Sequence, residues 1–233
     1  MKTKIIIRDD IFSYREMCDI ENTQTLQRGM NFRFKPDYSL VLMSQRKNAP
    51  YTDKVLDDGL TVIYEGHDIP KKVDSEPKKE DQSMYLPSGK LTQNGKFIRA
   101  IEKFKKSNSR PELVKIYEKI LPGIWSLKGM FNLINYSIVS HNGRNVYRFE
   151  MQLSMTQNVE LSPNKLEHTR IIPSEVKKEV WKRDGGKCVI CGSKQNLHFD
   201  HELPFSKGGT SYTSLNVRLL CMKHNLEKSA KIE

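Results

Sequence analysis

Four residues late in the chain have the types and spacing of a metal site. Cys188 and Cys191 form a C-x-x-C, and Cys221 and His224 form a C-x-x-H about thirty residues later. Three thiolates and one imidazole, two from each of two knuckles, are a donor set for a tetrahedral structural Zn2+. His224 belongs with the sulfurs because its offset from Cys221 equals that of Cys191 from Cys188. Between and just beyond the knuckles lies a second polar set: His198, Asp200, His201, Asn216 and Asn225. A structural zinc has no need of it.

Short elements must position these groups. Asp200 and His201 lie in a stretch that reads as a strand, Lys207-Gly208-Gly209 as a loop, and Asn225 in a short helix. Upstream, Pro173-Ser174 opens a helix that delivers the chain to the first knuckle. Ser174 is placed to cap it, Val176 and Val180 fall on one face, and Gly185-Gly186 end it. Neighbouring strand residues point to opposite faces. Asp200 and His201 can share one site only if a twist or bulge re-aims one of them.

The run LHFDHELPFSKGGTSYTSLNVRLLCMKHNLEKS resembles the HNH endonucleases. The matching residues are Asp200-His201, Pro204, Gly208-Gly209, Asn216, Leu219-Leu220-Cys221, and Asn225 followed by Lys228. The resemblance implies a zinc-stabilised ββα-metal fold, a β-hairpin plus helix gripping one catalytic metal. It assigns Asp200 and Asn225 to Mg2+ or Mn2+, hard cations that keep several waters and need few protein ligands. It makes His201 the general base, since a neutral imidazole can take a proton from water near neutral pH. Asn216 would fix the His201 tautomer. His198, two residues before Asp200, would contact phosphate or metal, or pack within the hairpin.

The rest of the chain reads as β-rich. Strands are expected at 5–8, Tyr38–Met43, 60–64, 114–120, 131–140 and 146–153, with Asn142-Gly143 as a hairpin turn. Phe97, Ile101 and Phe104 recur at helical spacing. Residues 69–89 read as a mobile surface loop, and 157–170 as a linker. The expected division is 1–155, a linker at 156–172, and 173–233.

The segment YSLVLMSQRKNAPYTDKVLDDGLTVIYEGHD resembles the core of SRA (SET- and RING-associated) domains. NGKFIRAI and VKIYEKI sit where that family has an Asn-led helix and a strand. The resemblance implies an SRA/PUA-like β-barrel with flanking helices that flips a modified cytosine into a pocket. By match, the stacking tyrosines are Tyr51 and Tyr64 and the acid is Asp53. Two departures leave the base open. The interval between the tyrosines is one residue longer than in the family, and Lys54 stands at the usual second acid. Methylcytosine, hydroxymethylcytosine, a bulkier modification and an unmodified base all remain.

A net charge of +11 favours a polyanionic partner, most commonly nucleic acid. Lysines near Lys71, Lys78 and 103–106 read as solvated faces. No apolar run is long enough for a membrane span. Cys18, left over from the zinc set, reads as a small buried apolar residue. Nothing suggests a disulfide framework, which fits a cytoplasmic setting. The expected class is α+β, and the expected function is a modification-dependent, restriction-type endonuclease acting on double-stranded DNA. One HNH site cuts one strand, so a homodimer is expected. The alternatives are an HNH endonuclease recognising an unmodified sequence, and a zinc-stabilised DNA-binding reader that does not cut.

Overall fold

A computed structural model describes residues 8–47, 49–58, 60–70, 76–107, 109–154, 172–203 and 213–229. The alternating pattern after residue 110 builds three long antiparallel strands: β6 (Glu112–Leu121), β7 (Ile124–His141) and β8 (Arg144–Leu153). Asn142 and Gly143 turn β7 into β8 with left-handed backbone, φ 52° and 76°, as an Asn-Gly hairpin turn requires. Beyond β6, β3 (Tyr38–Met43) pairs in parallel and β2 (Met30–Lys35) pairs with β3. Beyond β8 come β5 (Thr61–Glu65) and β4 (Lys54–Val55). The order is β2-β3-β6-β7-β8-β5-β4. Among the described residues the end strands β2 and β4 do not pair with each other, so the expected barrel is an open ladder in its hydrogen bonding.

β8 covers β7 only from Phe131 onward. The edge that it leaves, at Ile124 to Ser126, is taken by β1 (Ile11–Ser13). A helix, α1 (Tyr14–Ile20), follows at once, started by a capping box between Ser13 and Glu16. The Ser-x-x-Glu signal stood in the sequence, yet β1, α1, β2 and β4 were not anticipated. The first expected strand, at 5–8, lies outside the described residues apart from Arg8, which sits in a turn.

The sheet carries apolar side chains on two cores. In one, Phe97, Ile98 and Ile101 of α2 (Gln93–Ser107) pack with Met30, Val62, Phe131 and Phe149. In the other, Phe12, Met17, Cys18, Leu40, Tyr117 and Trp125 are buried together. Cys18 is thus the buried apolar residue expected. Asn94 fixes the start of α2: its amide accepts from His67 N and donates to His67 O, both at 2.8 Å.

The stretch at 69–89, where described, is a largely exposed loop as expected, but it is tied to the sheet at several points. Gln82 is buried, donates to Gly66 O (2.6 Å) and accepts from Tyr147 N (2.9 Å). Arg144 donates to the carbonyls of Pro77 and Glu80. Backbone groups that would otherwise lose water are thereby satisfied. Lys78 is exposed, as expected of a solvated face, and pairs with Asp68 at 2.8 Å.

A second, smaller ladder pairs β9 (Leu197–His201) with β10 (Val217–Cys221), flanked by α3 (Ser174–Arg183) and α4 (Met222–Ser229). Its core joins Ile172, Val176, Val180, Phe199, Leu219 and Leu220, and Ile11 from β1 is part of the same cluster. Ser174 does not cap α3. Pro173 is the cap residue and makes no side-chain bond, while the Ser174 hydroxyl is drawn inward to Gln45 Oε1 (2.6 Å) and Glu118. Gly185 and Gly186 end the helix region with left-handed backbone, and a side chain at 186 would strike the Trp181 ring. The linker at 156–171 lies outside the described residues, and Ile172 is already core. No helix among the described residues is long and apolar enough to cross a membrane.

Gly95 gives a stability test. A Cβ there would fall well inside contact distance of the Met84 carbonyl oxygen, a backbone atom that cannot swing away. Gly95→Ala should destabilise the protein by about 1–3 kcal/mol despite the better helix propensity of alanine, measured by urea unfolding. A neutral or stabilising effect would show that α2 does not press on residue 84.

Candidate functional site

Two separate places gather groups capable of chemistry. The first is a cavity of about 510 Å3 whose walls include Tyr14, Arg46, Tyr51, Asp53, Tyr64 and Trp125. That volume is in the range of small-molecule pockets. The expected trio Tyr51, Asp53 and Tyr64 therefore lines one space. Asp53 lies just before β4 and is folded back between two elements. Its Oδ2 accepts from Ser44 N and its Oδ1 from Glu65 N, each at 3.1 Å. Burial disfavours its charged form more than these two bonds favour it, and its pKa is pushed up to about 7.

The two tyrosines are held differently. Tyr64, on β5, is fully buried in the main core, with its hydroxyl 3.4 Å from His67 Nε2. Gly29 makes room for that hydroxyl, since a Cβ there would come within 2.9 Å of it. Tyr51 sits in a loop, stacked at 19° on the His67 ring and covered by Lys78 Nζ, 3.7 Å from its ring centre. Burial lowers the His67 pKa to about 4, so this imidazole is neutral at ordinary pH. Sequence reasoning missed Tyr14, Trp125, Arg46 and His67. Their separation along the chain carries no local signal; only the β1–β7 pairing brings Tyr14 and Trp125 together.

The second place is the small hairpin. Cys188, Cys191, Cys221 and His224 present ligand atoms all within 4.8 Å of one another. Cys191 and Cys221 sulfurs are 3.8 Å apart, and His224 Nδ1 is 3.4 Å from the sulfurs of both Cys188 and Cys221. Zinc–sulfur bonds of 2.3 Å at tetrahedral angles demand sulfur–sulfur edges of about 3.8 Å. The donor set therefore fits zinc in both type and spacing. Although burial opposes it, backbone N–H groups of Cys191, Cys221 and Ile190 draw the Cys188 thiol down to about 6, toward the thiolate that a metal requires.

Asp200 and His201 end β9, facing Arg218 and Val217 across an unbroken register. Of the twist or bulge expected here, no bulge interrupts this ladder. Both residues are nearly buried. The Asp200 carboxylate takes the Lys228 ammonium at 2.6 Å, with Arg218 Nε 3.8 Å away. Lys228 also donates to the His201 carbonyl. Asn225 lies three residues before Lys228 on α4, hence on the same helix face. The Lys228 ammonium thus stands where a carboxylate and a carbonyl oxygen converge. Asn216 closes the turn after β9: its Oδ1 accepts from Leu203 N (2.8 Å), its Nδ2 donates to Leu203 O (3.1 Å), and its carbonyl accepts from Glu202 N (2.8 Å). His198 points elsewhere, pairing through Nδ1 with Asp10. Pro204, Gly208 and Gly209 lie outside the described residues.

No family model matches the sequence, and no curated protein does. Among solved structures, the chain is similar to the SRA domain of SUVH5 in complex with methylated CHH DNA. The TM-score is 0.46 at 19% identity, over 65% of this chain and 91% of that one. The same domain bound to fully hydroxymethylated CG DNA gives a TM-score of 0.46 and 19% identity, over 67% and 94%. The modification-dependent TagI restriction endonuclease gives a TM-score of 0.43 and 14% identity, over 96% of this chain and 77% of that one. Likeness of this degree fixes neither ligand nor activity, which must be argued from the residues.

Two outcomes follow from this geometry. Folding favours the protonated form of Asp53, because its folded pKa of about 7 exceeds its ordinary value of 3.8. That stabilisation is full below about pH 4 and is lost as pH rises through about 7. Asp53→Asn, always neutral, should flatten this fall by on the order of a few kcal/mol, read by urea unfolding from acid to neutral pH. An unchanged profile would place the titration elsewhere. Separately, Cys221→Ser should cut bound zinc from about one per chain to near none and open the β9–β10 hairpin to protease. Full zinc retention would remove Cys221 from the donor set.

Proposed function

We propose that this chain is a modification-dependent DNA endonuclease. An N-terminal SRA-like module takes a flipped, modified cytosine into the cavity at Tyr51, Asp53 and Tyr64. A C-terminal HNH-type module, residues 173–233, is held by zinc and hydrolyses the strand nearby. One observation carries the reading: a single chain pairs an aromatic cavity, with a buried carboxyl poised near neutrality, with a hairpin whose carboxylate gathers cations.

Flipping a base costs on the order of a few kcal/mol of stacking, which aromatic walls offset by stacking it again. A carboxyl protonated on one oxygen offers one donor and one acceptor. That complements the N3 acceptor and the amino donor of cytosine, so the Asp53 pKa suits the edge it would read. Arg46 adds positive charge at the cavity wall.

At the hairpin, Asp200 and Asn225 would hold Mg2+ or Mn2+ in the seat that the Lys228 ammonium takes. When bound, such a cation supplies charge neutralisation at the phosphate and the leaving oxygen. His201 accepts the proton of the attacking water. Lys228 and Arg218, both beside Asp200, add positive charge where phosphate must sit. Asn216 keeps the turn after His201 in place. The zinc cluster ties the β9–β10 hairpin to α4, so it acts on the reaction through position alone. One such site cuts one strand, and a homodimer would cut both.

One observation favours a second reading. Lys228 already neutralises Asp200, as would suit a zinc-stabilised reader that binds modified DNA without cutting it. The test digests matched duplexes carrying methylcytosine, hydroxymethylcytosine or plain cytosine with Mg2+ or Mn2+. Only modified duplexes should be cut, and His201→Ala should lower cleavage at least about 100-fold with zinc content and binding retained. Equal cutting of plain DNA would leave an HNH endonuclease that reads unmodified sequence. Binding without any cutting would leave the reader, and full activity of His201→Ala would remove the mechanism.

A further inference from the structure

Residues 9–13 lie between the large sheet and the small hairpin and bond to both. On one side, Asp9 N donates to Leu127 O (2.8 Å) and Leu127 N donates to Asp10 O (3.0 Å), continuing the β1–β7 pairing. On the other, Phe199 N donates to Asp9 O (3.3 Å), and Asp10 bridges His198 of β9. Side chains repeat the link. Asp10 pairs with His198, and Asp9 takes the Lys177 ammonium of α3 at 2.6 Å. Lys177 also reaches Ser126 Oγ on β7 (3.2 Å). Nearby, Glu118 of β6 holds Lys128 at 2.5 Å and meets Ser174 of α3. Lys128, Lys177 and Glu118 have no exposed surface.

Domains joined only by a flexible tether do not build such a junction. Charges stripped of water are tolerated only with their partners in place. A slip of one residue between β9 and residues 9–10 would strand a lysine and two carboxylates at once. Ile11 adds an apolar anchor within the core of the smaller unit.

Each end of the junction also belongs to a candidate site. Tyr14 and Trp125, on the cavity wall, follow β1 and lie opposite it on β7. Ser44 and Arg46, also on the wall, flank Gln45, which meets Ser174. Asp200 comes two residues after His198.

We propose that this junction sets the distance between the base that is read and the phosphate that is cut, with Asp9, Asp10, Lys177 and His198 as positioning residues. The proposal rests on the endonuclease reading above. At strand geometry the backbone path from Tyr14 through Asp10 and His198 to Asp200 is at most about 25 Å. That is shorter than one turn of B-DNA, about 34 Å. The cut therefore falls within one helical turn of the modified base, at one position per strand, instead of scattering as a tether would allow.

The test uses the full chain, Mg2+ and an end-labelled duplex with a single modified cytosine. One dominant cut per strand within a turn is expected. Lys177→Met combined with Asp9→Asn removes both partners of the buried pair. It should keep zinc and duplex binding, spread the cuts over neighbouring phosphates, and lower cleavage at the main position about 10-fold or more. Scattered or more distant cuts by the unaltered protein overturn the proposal, as does an unchanged cut map in the double variant. If the double variant loses zinc or binding, calorimetry of the unaltered chain decides. A single unfolding transition supports the junction, and two separate transitions overturn it. Failure to cut any modified duplex would count against the endonuclease reading, and the calorimetric result would still decide the junction.

Discussion

The buried ion pair between Lys177 and Asp9 holds this structure together in a way no surface contact could. Both groups are cut off from water, and each is tolerable only because the other is there. Removing one partner of such a pair costs about 3–5 kcal/mol, whereas the intact pair adds little net stability. Its effect is therefore on specificity: one arrangement of α3 against β7 and the segment before β1 brings Lys177 to both Asp9 and Ser126. With α3 fixed, Asp184 at its end is fixed too. The Asp184 carboxylate accepts from Leu219 N at 2.8 Å, while Arg183 donates to the Val217 and Ser214 carbonyls. The β9–β10 hairpin is thus seated before any metal contributes.

The zinc donors act at the other end of the same hairpin. Three sulfurs and an imidazole lie at tetrahedral spacing, and their clasp joins the turn at 188–191 to the end of β10 and the start of α4. Lys228, further along α4, meets Asp200 at 2.6 Å. An apolar core of this size offers few residues to fix α4, which carries exposed Leu226 and only partly buried neighbours. A metal held by these four donors would substitute for the core that the segment lacks.

The cavity in the larger sheet follows another logic. Arg148 favours the Asp53 carboxylate from a distance, but its ion pair is with Glu65, and Arg144 pairs with Glu65 and Asp68. Asp53 receives only two backbone donors, and burial wins. Glu65 is thus a paired structural acid, while Asp53 is the carboxyl whose neutral form burial favours.

Much of the candidate chemistry was legible in the sequence because it is local. C-x-x-C and C-x-x-H spacings, an Asp-His pair at a strand end, an Asn-Gly turn and the strand at 38–43 are each set by residues within a few positions of one another. Period and turn chemistry suffice for such features. Among the missed strands, β1 and β4 have too few residues for a period to show and exist because a neighbour offers an open edge, whereas β2 alternates over Met30–Lys35 and its period was legible. The sequence also misjudged Ser174 and Gln82, reading polarity as exposure where buried partners were waiting.

By itself, then, the sequence determined which groups are present and how far apart they stand within each short run. Tertiary structure alone decided that Tyr14 and Trp125 share a wall with Asp53, that His198 turns to Asp10, and that Lys228 meets Asp200. The reason is physical. Hydrophobic period and ligand spacing are properties of a few consecutive residues. The pairing of two buried charges 168 positions apart, Asp9 and Lys177, is fixed only when the whole chain has excluded water from both.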